Sequence, residues 1–344
     1  MRVGMLTGGG DCPGLNAVIR AATRRLAGGG HDVVGVLHGW RGMIEGRFMR
    51  LGIDDVSGIL PRGGTILKTR RTNPFREEGG VDAVLRNLSS FDALIAIGGE
   101  DTLGVAHRIH AEHDAPIIGV PKTIDNDLAA TDQTFGFDTA VAIATEAIDR
   151  LHTTAESHDR VMVVEVMGRH AGWLAVQSGL AGGADVVLIP EFPISVERCA
   201  EMVRARHARG RDFSIVVVSE GWPMTHEDGD AGLATQTEER DAFGHVRLGG
   251  IGERLGDELK RLTGFDTRVT VLGHLQRGGS PTAYDRVLAT RYGLLAADLA
   301  MARRYGLMAS LQGADVVAVP LADAVKELKT VPREYYALAE AFFG

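Results

Sequence analysis

The sequence predicts an α/β protein of two doubly wound parallel-sheet domains, each sheet covered by helices on both faces. Three observations carry that prediction. Short Val/Ile/Leu-rich runs recur along the chain, nearly continuous in apolar residues, as strands buried on both faces must be. Helix-period stretches separate the runs, as parallel crossovers require. The length of 344 residues exceeds what one hydrophobic core usually supports.

In chain order the strand runs are "RVGMLT" (2 to 7), "VVGVLHG" (33 to 39), "ALIAIGG" (93 to 99), "PIIGVPKT" (116 to 123), "VMVVEVMG" (161 to 168), "DVVLIPE" (185 to 191), "SIVVVSEG" (214 to 221) and "RVTVLGHL" (268 to 275). Nearly every run ends in Gly, Lys, Glu or His, and in doubly wound folds ligands bind at the carboxyl ends of the strands. Asp138 to Thr153 reads as an amphipathic helix capped by Asp138 or Thr139, with Ala140, Ile143, Ala147 and Leu151 on its apolar face. Trp222 to Gly249 breaks every periodicity with Gly, Thr and acidic residues and is expected to be a long surface loop.

Composition excludes several classes. The net charge of -8 argues against a nucleic-acid binder, which would show a basic domain with clustered Lys and Arg. No apolar run approaches the roughly 18 residues of a membrane span. Met1-Arg2-Val3-Gly4 enters a strand pattern directly, without a signal-peptide pattern, so a cytoplasmic location is expected. The 2 cysteines, Cys12 and Cys199, support neither a disulfide framework nor a zinc site, which suits a reducing compartment. Arg62, Lys68, Arg70, Arg71, Arg76 and Lys122 fall in turn-like stretches, where together they suit an anionic small molecule; singly, each is ordinary surface charge.

Five motifs carry chemistry. "LTGGGDCPGLN" (6 to 16) ends a strand in three glycines and opens a helix near Leu15, an arrangement that brings backbone amides and a helix N-terminus to phosphate. "GGEDT" (98 to 102) is a similar turn, yet it carries Glu100 and Asp101. A carboxylate there would repel an anionic ligand by about 4 kcal/mol at about 4 Å and an effective dielectric of about 20. Glu100 therefore implies Mg²⁺ between carboxylate and phosphate. Asp101 reads equally as a cap for a helix starting near Thr102 or Leu103. "PKTIDND" (121 to 127) gathers Lys122, Thr123, Asp125 and Asp127 in a bent segment, a cation and a base suited to phosphoryl transfer. "VMVVEVMGRHAGWLA" (161 to 175) ends a strand at Met167-Gly168-Arg169, with a helix expected near Ala171. "TRVTVLGHLQRGGSP" (267 to 281) ends a strand on His274 and adds Arg277, a pair able to bind a second phosphate.

Together with "GGTILKTR" (63 to 70) and "SEG", these motifs resemble the phosphofructokinases, in family order over roughly residues 2 to 330. Other kinases with a related glycine turn, such as NAD and diacylglycerol kinases, lack "TIDND" and "MGR". The resemblance implies an active site in the cleft between two domains, 1–138 with about 276–322 on the donor side and 139–275 with about 323–344 on the sugar side. Gly10 and Asp11 match the loop facing the donor phosphates. Arg71, or its neighbour Arg70, matches a phosphate-contacting arginine. Glu100 matches the Mg²⁺-associated acid, one methylene longer than the usual Asp. Asp125 matches the general base on the 1-hydroxyl of fructose 6-phosphate, with Lys122, Thr123 and Asp127 beside it. Met167, Gly168, Arg169 and Glu220 match sugar contacts, and His274 and Arg277 match contacts to the 6-phosphate. Arg160 and Arg268 match arginines that reach a neighbouring subunit's site, which implies a homo-oligomer, at least a dimer.

The second carboxylate of "GGEDT" bears on the phosphoryl donor. In ATP-using members the residue matching Asp101 is typically Gly and the one matching Lys122 is often Gly; in pyrophosphate-using members they are typically Asp and Lys. Both donors are polyanions, so space discriminates them: an Asp side chain occupies room that the α-phosphate and nucleoside of ATP need. The resemblance thus implies a reversible, pyrophosphate-dependent enzyme. The alternatives are ATP as donor and a catalytically silent sugar-phosphate-binding subunit, which would have no need of Asp125 as a base.

Overall fold

A computed structural model describes the chain apart from Asp228, Asp230 and His245, and gives only the backbone of 231, 236–240 and 246–247. Strand β1 (Arg2–Thr7) leads into helix α1 (Leu15–Gly28), then β2 (Asp32–Val36), α2 (Trp40–Glu45), β3 (Phe48–Leu51), α3 (Gly80–Leu88), β4 (Ala93–Gly98), α4 (Glu100–His113), β5 (Ile117–Thr123) and the short β6 (Phe135–Gly136). The long α5 (Phe137–Ser157) precedes β7 (Val161–Val166), α6 (Trp173–Ala181), β8 (Val186–Leu188), α7 (Val196–Ala208) and β9 (Ser214–Ser219). Four short strands follow, β10 (Met224–Thr225), β11 (Ala231–Gly232), β12 (Thr235–Arg240) and β13 (Val246–Leu248), and then α8 (Ile251–Thr263) and β14 (Thr267–Val271). The chain closes with α9 (Ala283–Met301), β15 (Leu307–Gln312), β16 (Asp315–Pro320), α10 (Leu321–Val325) and α11 (Arg333–Glu340).

Two sheets result. The larger runs β16-β15-β5-β4-β1-β2-β3 with β6 beside β5, and is parallel except for its antiparallel edges β3 and β16. The smaller is all parallel, in the order β14-β7-β9-β8. The two-residue period of a strand sends alternate side chains to opposite faces. Val3, Met5, Ile95 and Ile97 accordingly join one core with α1 and α9, while Leu6, Leu94 and Ala96 join another with α2, α3 and α4. In the small sheet Val161, Val163, Val216 and Val218 pack on α7 and α8, while Met162, Val164, Ile215 and Val217 face α5 and α6. That last set shares a single core with α1 and α9, so one continuous apolar layer lies between the sheets.

Several sequence expectations are corrected. The α5 helix is capped by the backbone at Gly136, in the left-handed region, not by Asp138 or Thr139. Those two side chains turn to α9 instead: Asp138 accepts from Thr282 Oγ1 at 2.6 Å and Thr139 donates to Asp285. Its buried stripe is Ala140, Ala144 and Ile148, one position round from the expected Ile143 and Ala147. The run at 268 ends as a strand at Val271, and His274 lies in a 3-10 turn over Gly273–Arg277. Helix α6 begins at Trp173, past Ala171. The stretch from 222 to 249 is not structureless, since β10 pairs with β11 and β12 with β13; its residues 228, 230 and 245 lie outside the described ones.

Candidate active site

The carboxyl ends of both sheets open on one pocket, lined by Gly9 and Gly10 after β1, Gly99 to Thr102 after β4, Lys122, Thr123, Asp125 and Asp127 at and after the end of β5, Met167 to His170 after β7, Glu220 after β9, and by Arg71 and Arg277. Gly168 is the exception within that span: it does not line the pocket, and its carbonyl accepts from Ser219 Oγ at 2.6 Å.

Glycines set the floor. Gly9 stands at φ 76, a conformation glycine adopts without strain, and a Cβ on Gly10 would lie 2.8 Å from Arg277 Nη1. Arg277 Nη1 also reaches the Asp11 carbonyl at 3.3 Å, so this arginine, expected at the sugar phosphate, extends to the first glycine turn. The Lys122 ammonium is buried and donates to the Gly10 carbonyl, which ties the "PKTIDND" segment to the first glycine turn. Burial foremost lowers its pKa from the usual lysine value.

Helix α4 starts at Glu100 with Gly99 as its cap, so Asp101 sits inside the first turn and is not the cap that the sequence allowed. Both acids occupy the end of the helix where the macrodipole favours negative charge. Among the described residues no three His, Cys, Asp or Glu side chains come together as a metal cage. Glu100 and Asp101 beside an open pocket fit instead a hard cation that takes one or two carboxylates and completes its shell with phosphate oxygens and water, as Mg²⁺ does.

Three further carboxylates line the pocket. Asp125 Oδ1 is buried without a hydrogen-bond partner, an acceptor left for a ligand, while its backbone N–H is held by Thr123 Oγ1 at 3.0 Å. Asp127 is pushed up to about 7 by burial and then by the charge of Asp125. Glu220 is pushed up to about 7 by burial and Asp125, against the pull of Arg169 and Arg277.

Of the two arginines left open by the sequence, Arg71 lines the pocket and Arg70 does not. Arg71 Nη1 pairs with Asp241 Oδ2 at 2.6 Å, a contact from the 222–249 stretch that no motif signalled. His170 and Thr102 also line the pocket unforeseen; Thr102 fills the space left by Gly8 and Gly98, where an added Cβ would meet it at 2.4 and 2.3 Å. His274 is exposed and outside the pocket. Arg160 and Arg268 also lie outside it, both paired with Asp266 of their own chain at 2.7 and 2.6 Å.

The phosphofructokinase family model matches residues 2–300. The chain belongs to the phosphofructokinase family. A pyrophosphate–fructose 6-phosphate 1-phosphotransferase of Amycolatopsis methanolica is 59% identical over 347 residues, covering 100% of both chains. An ATP-dependent 6-phosphofructokinase of Mycobacterium leprae is 53% identical over 348 residues, again covering 100% of both. Among solved structures, Pichia pastoris phosphofructokinase matches at a TM-score of 0.82 and 32% identity over 99% of this chain, which spans 36% of that longer one. The relatives at 56% identity and above are named for pyrophosphate and those at 53% for ATP, a narrow gap at which single residues also bear on the donor.

Among the described residues no helix is long and apolar enough to cross a membrane.

Proposed function

We propose that this chain is a pyrophosphate-dependent 6-phosphofructokinase, moving a phosphoryl group from pyrophosphate to the 1-hydroxyl of fructose 6-phosphate and releasing phosphate and fructose 1,6-bisphosphate, reversibly. The observation that carries the reading is Asp101 in the first turn of α4, lining one pocket with Lys122 and with the unpartnered Oδ1 of Asp125. Asp101 takes the room an α-phosphate would need, and the buried Lys122 ammonium compensates the charge of a compact donor.

In the forward reaction Asp125 accepts the proton of the 1-hydroxyl as the sugar oxygen attacks the nearer phosphorus and the phosphate bridge breaks. Thr123 holds the Asp125 backbone in place. Gly10 and Arg71 take the donor's phosphates. Asp127, Met167, Arg169 and Glu220 shape the sugar site, with Gly168 behind them bonded to Ser219, and Arg277 serves the 6-phosphate, joined by His274 from outside the pocket. Glu100, with Asp101 at hand, would hold Mg²⁺, whose charge would neutralise that of the donor.

The donor domain is taken as 1–138 with about 276–322 and the sugar domain as 139–275 with about 323–344. A homo-oligomer, dimer or tetramer, in the cytoplasm completes the reading, with Arg160 and Arg268 exchanging Asp266 for the neighbouring subunit's sugar site. Phosphorus NMR of enzyme, Mg²⁺, fructose 6-phosphate and pyrophosphate tests it. Equal amounts of fructose 1,6-bisphosphate and phosphate should appear, and pyrophosphate should re-form when the two products are mixed. No product from pyrophosphate would refute the reading.

A further inference from the structure

Outside the pocket, one half-buried cation has no part in the chemistry above. Lys329 follows α10 in the last stretch of the chain, far in sequence from "PKTIDND". Its Nζ donates to Asn126 Oδ1 at 3.0 Å and to the carbonyls of Thr131 and Asp132 at 2.9 Å each, so all three ammonium hydrogens have acceptors. Its backbone N–H donates to the Asp127 carbonyl at 2.9 Å, and next to it Leu328 bridges to Leu128. The indole N–H of Trp173, on α6 of the small-sheet side, donates to the Lys329 carbonyl at 2.9 Å.

These bonds converge on a bend that needs support. Asn126 stands at φ 52, in the left-handed region, between the two carboxylates Asp125 and Asp127. Its Oδ1 accepts from Thr134 N as well as from Lys329, so one amide side chain fixes the bend from two directions. Asn126 bears no charge and faces away from the reaction. The orientation of its two neighbours nevertheless depends on it, because a bend of this kind turns the chain on either side.

Resting on the function proposed above, we infer that Lys329 is a positioning residue for phosphoryl transfer: through Asn126 and the Asp127 carbonyl it clamps the bend that aims Asp125, and through Trp173 it ties that bend to the sugar side of the cleft. The clamp acts on turnover, since it orients the base without touching either substrate. It is also sensitive to pH. Lys329 is lowered to about 8, by burial first, with the acids Asp127 and Asp132 facing it and pulling the other way, and Trp173 packed under the Nζ at 5.6 Å from its ring centre. Deprotonation leaves two hydrogens for three acceptors and removes the charge that strengthens each bond.

The test is steady-state kinetics of wild type, Lys329→Met and Lys329→Arg with pyrophosphate and fructose 6-phosphate from pH 6 to 10. Lys329→Met should lower kcat about tenfold with both KM values within about twofold. Wild-type kcat should fall as pH passes about 8, whereas Lys329→Arg should keep kcat within about threefold at pH 7 and show no such fall. Unchanged kcat in Lys329→Met, a loss expressed mainly in KM, or an alkaline fall that persists in Lys329→Arg would overturn the inference. If Lys329→Met fails to fold, the alkaline limb of Lys329→Arg decides alone. Should wild type fail with pyrophosphate, the donor reading fails instead, and the same three proteins are compared with ATP.

Discussion

Asp125 carries the heaviest demand on any single side chain, since its buried Oδ1 is an acceptor without a partner and the proposed chemistry needs a proton acceptor there. Asp125→Ala is expected to lower kcat by about 10²- to 10⁴-fold, the usual contribution of a positioned base, with fructose 6-phosphate binding retained by calorimetry. Asp101 sits in the first turn of α4 with Gly99 as cap, so replacing it should leave the helix standing. Asp101→Gly should therefore raise the ratio of kcat/KM with ATP to that with pyrophosphate by about tenfold or more, worth about 1.4 kcal/mol. An unchanged ratio would remove the steric account. Asp127 gives a pH prediction for stability. Its native pKa of about 7 lies above the ordinary carboxylate value, so between the two the folded state holds a proton that the unfolded state has released. Its contribution is fully present below the unfolded value and is lost as pH rises through about 7. Wild type should lose more melting temperature between pH 5.5 and pH 8 than Asp127→Asn, while Glu220 adds a like slope to both. At this scale the motif residues that line the pocket, such as Gly10, Glu100, Lys122 and Asp125, were readable in the sequence because glycine turns and clustered acids are local signals. Asp241 and Lys329 were not, because each meets its partner only after the chain has folded back from a distant segment.

Among the elements, the strands of the doubly buried sheets were the most legible, since burial on both faces writes an unbroken apolar run. Strands β3, β15 and β16 escaped, the edge pair β3 and β16 for the opposite reason and the buried β15 because its apolar run is broken by a serine. Two of them are antiparallel edges, half-exposed along much of their length, and the polar residues in "FMRL", "LMASLQ" and "DVVAVP" blur the signal. The error over α5 has a similar source: alanines at 140, 142, 144 and 147 offer two overlapping stripes, and the contact with its neighbours selects one. Helix pairing makes its own prediction. Helices α1 and α9 cross so closely that a Cβ on Gly293 would lie 2.7 Å from the Val18 carbonyl, a backbone atom that cannot swing away. Gly293→Ala should destabilise the fold by about 1–3 kcal/mol through overpacking, read as a lower thermal midpoint. A midpoint equal to wild type would mean that the helices separate without cost.

For the whole molecule, the apolar layer shared by the two sheets fixes how their carboxyl ends face one another, and the pocket is the consequence. Neither sheet supplies a complete site: the glycine turns, Glu100, Asp101, Lys122 and Asp125 come with the large one, and Met167, Arg169 and Glu220 with the small one. That division was legible as a fold class and as an ordered set of motifs, but the ion pairs that Arg160 and Arg268 make with Asp266 were not, since no local pattern announces them. As proposed, this pocket selects pyrophosphate over ATP. Initial rates of fructose 1,6-bisphosphate formation from fructose 6-phosphate and Mg²⁺, measured with each donor in turn, test it most directly. Rapid turnover is expected with pyrophosphate and little with ATP; the reverse, rapid turnover with ATP and little with pyrophosphate, would refute donor selection by Asp101.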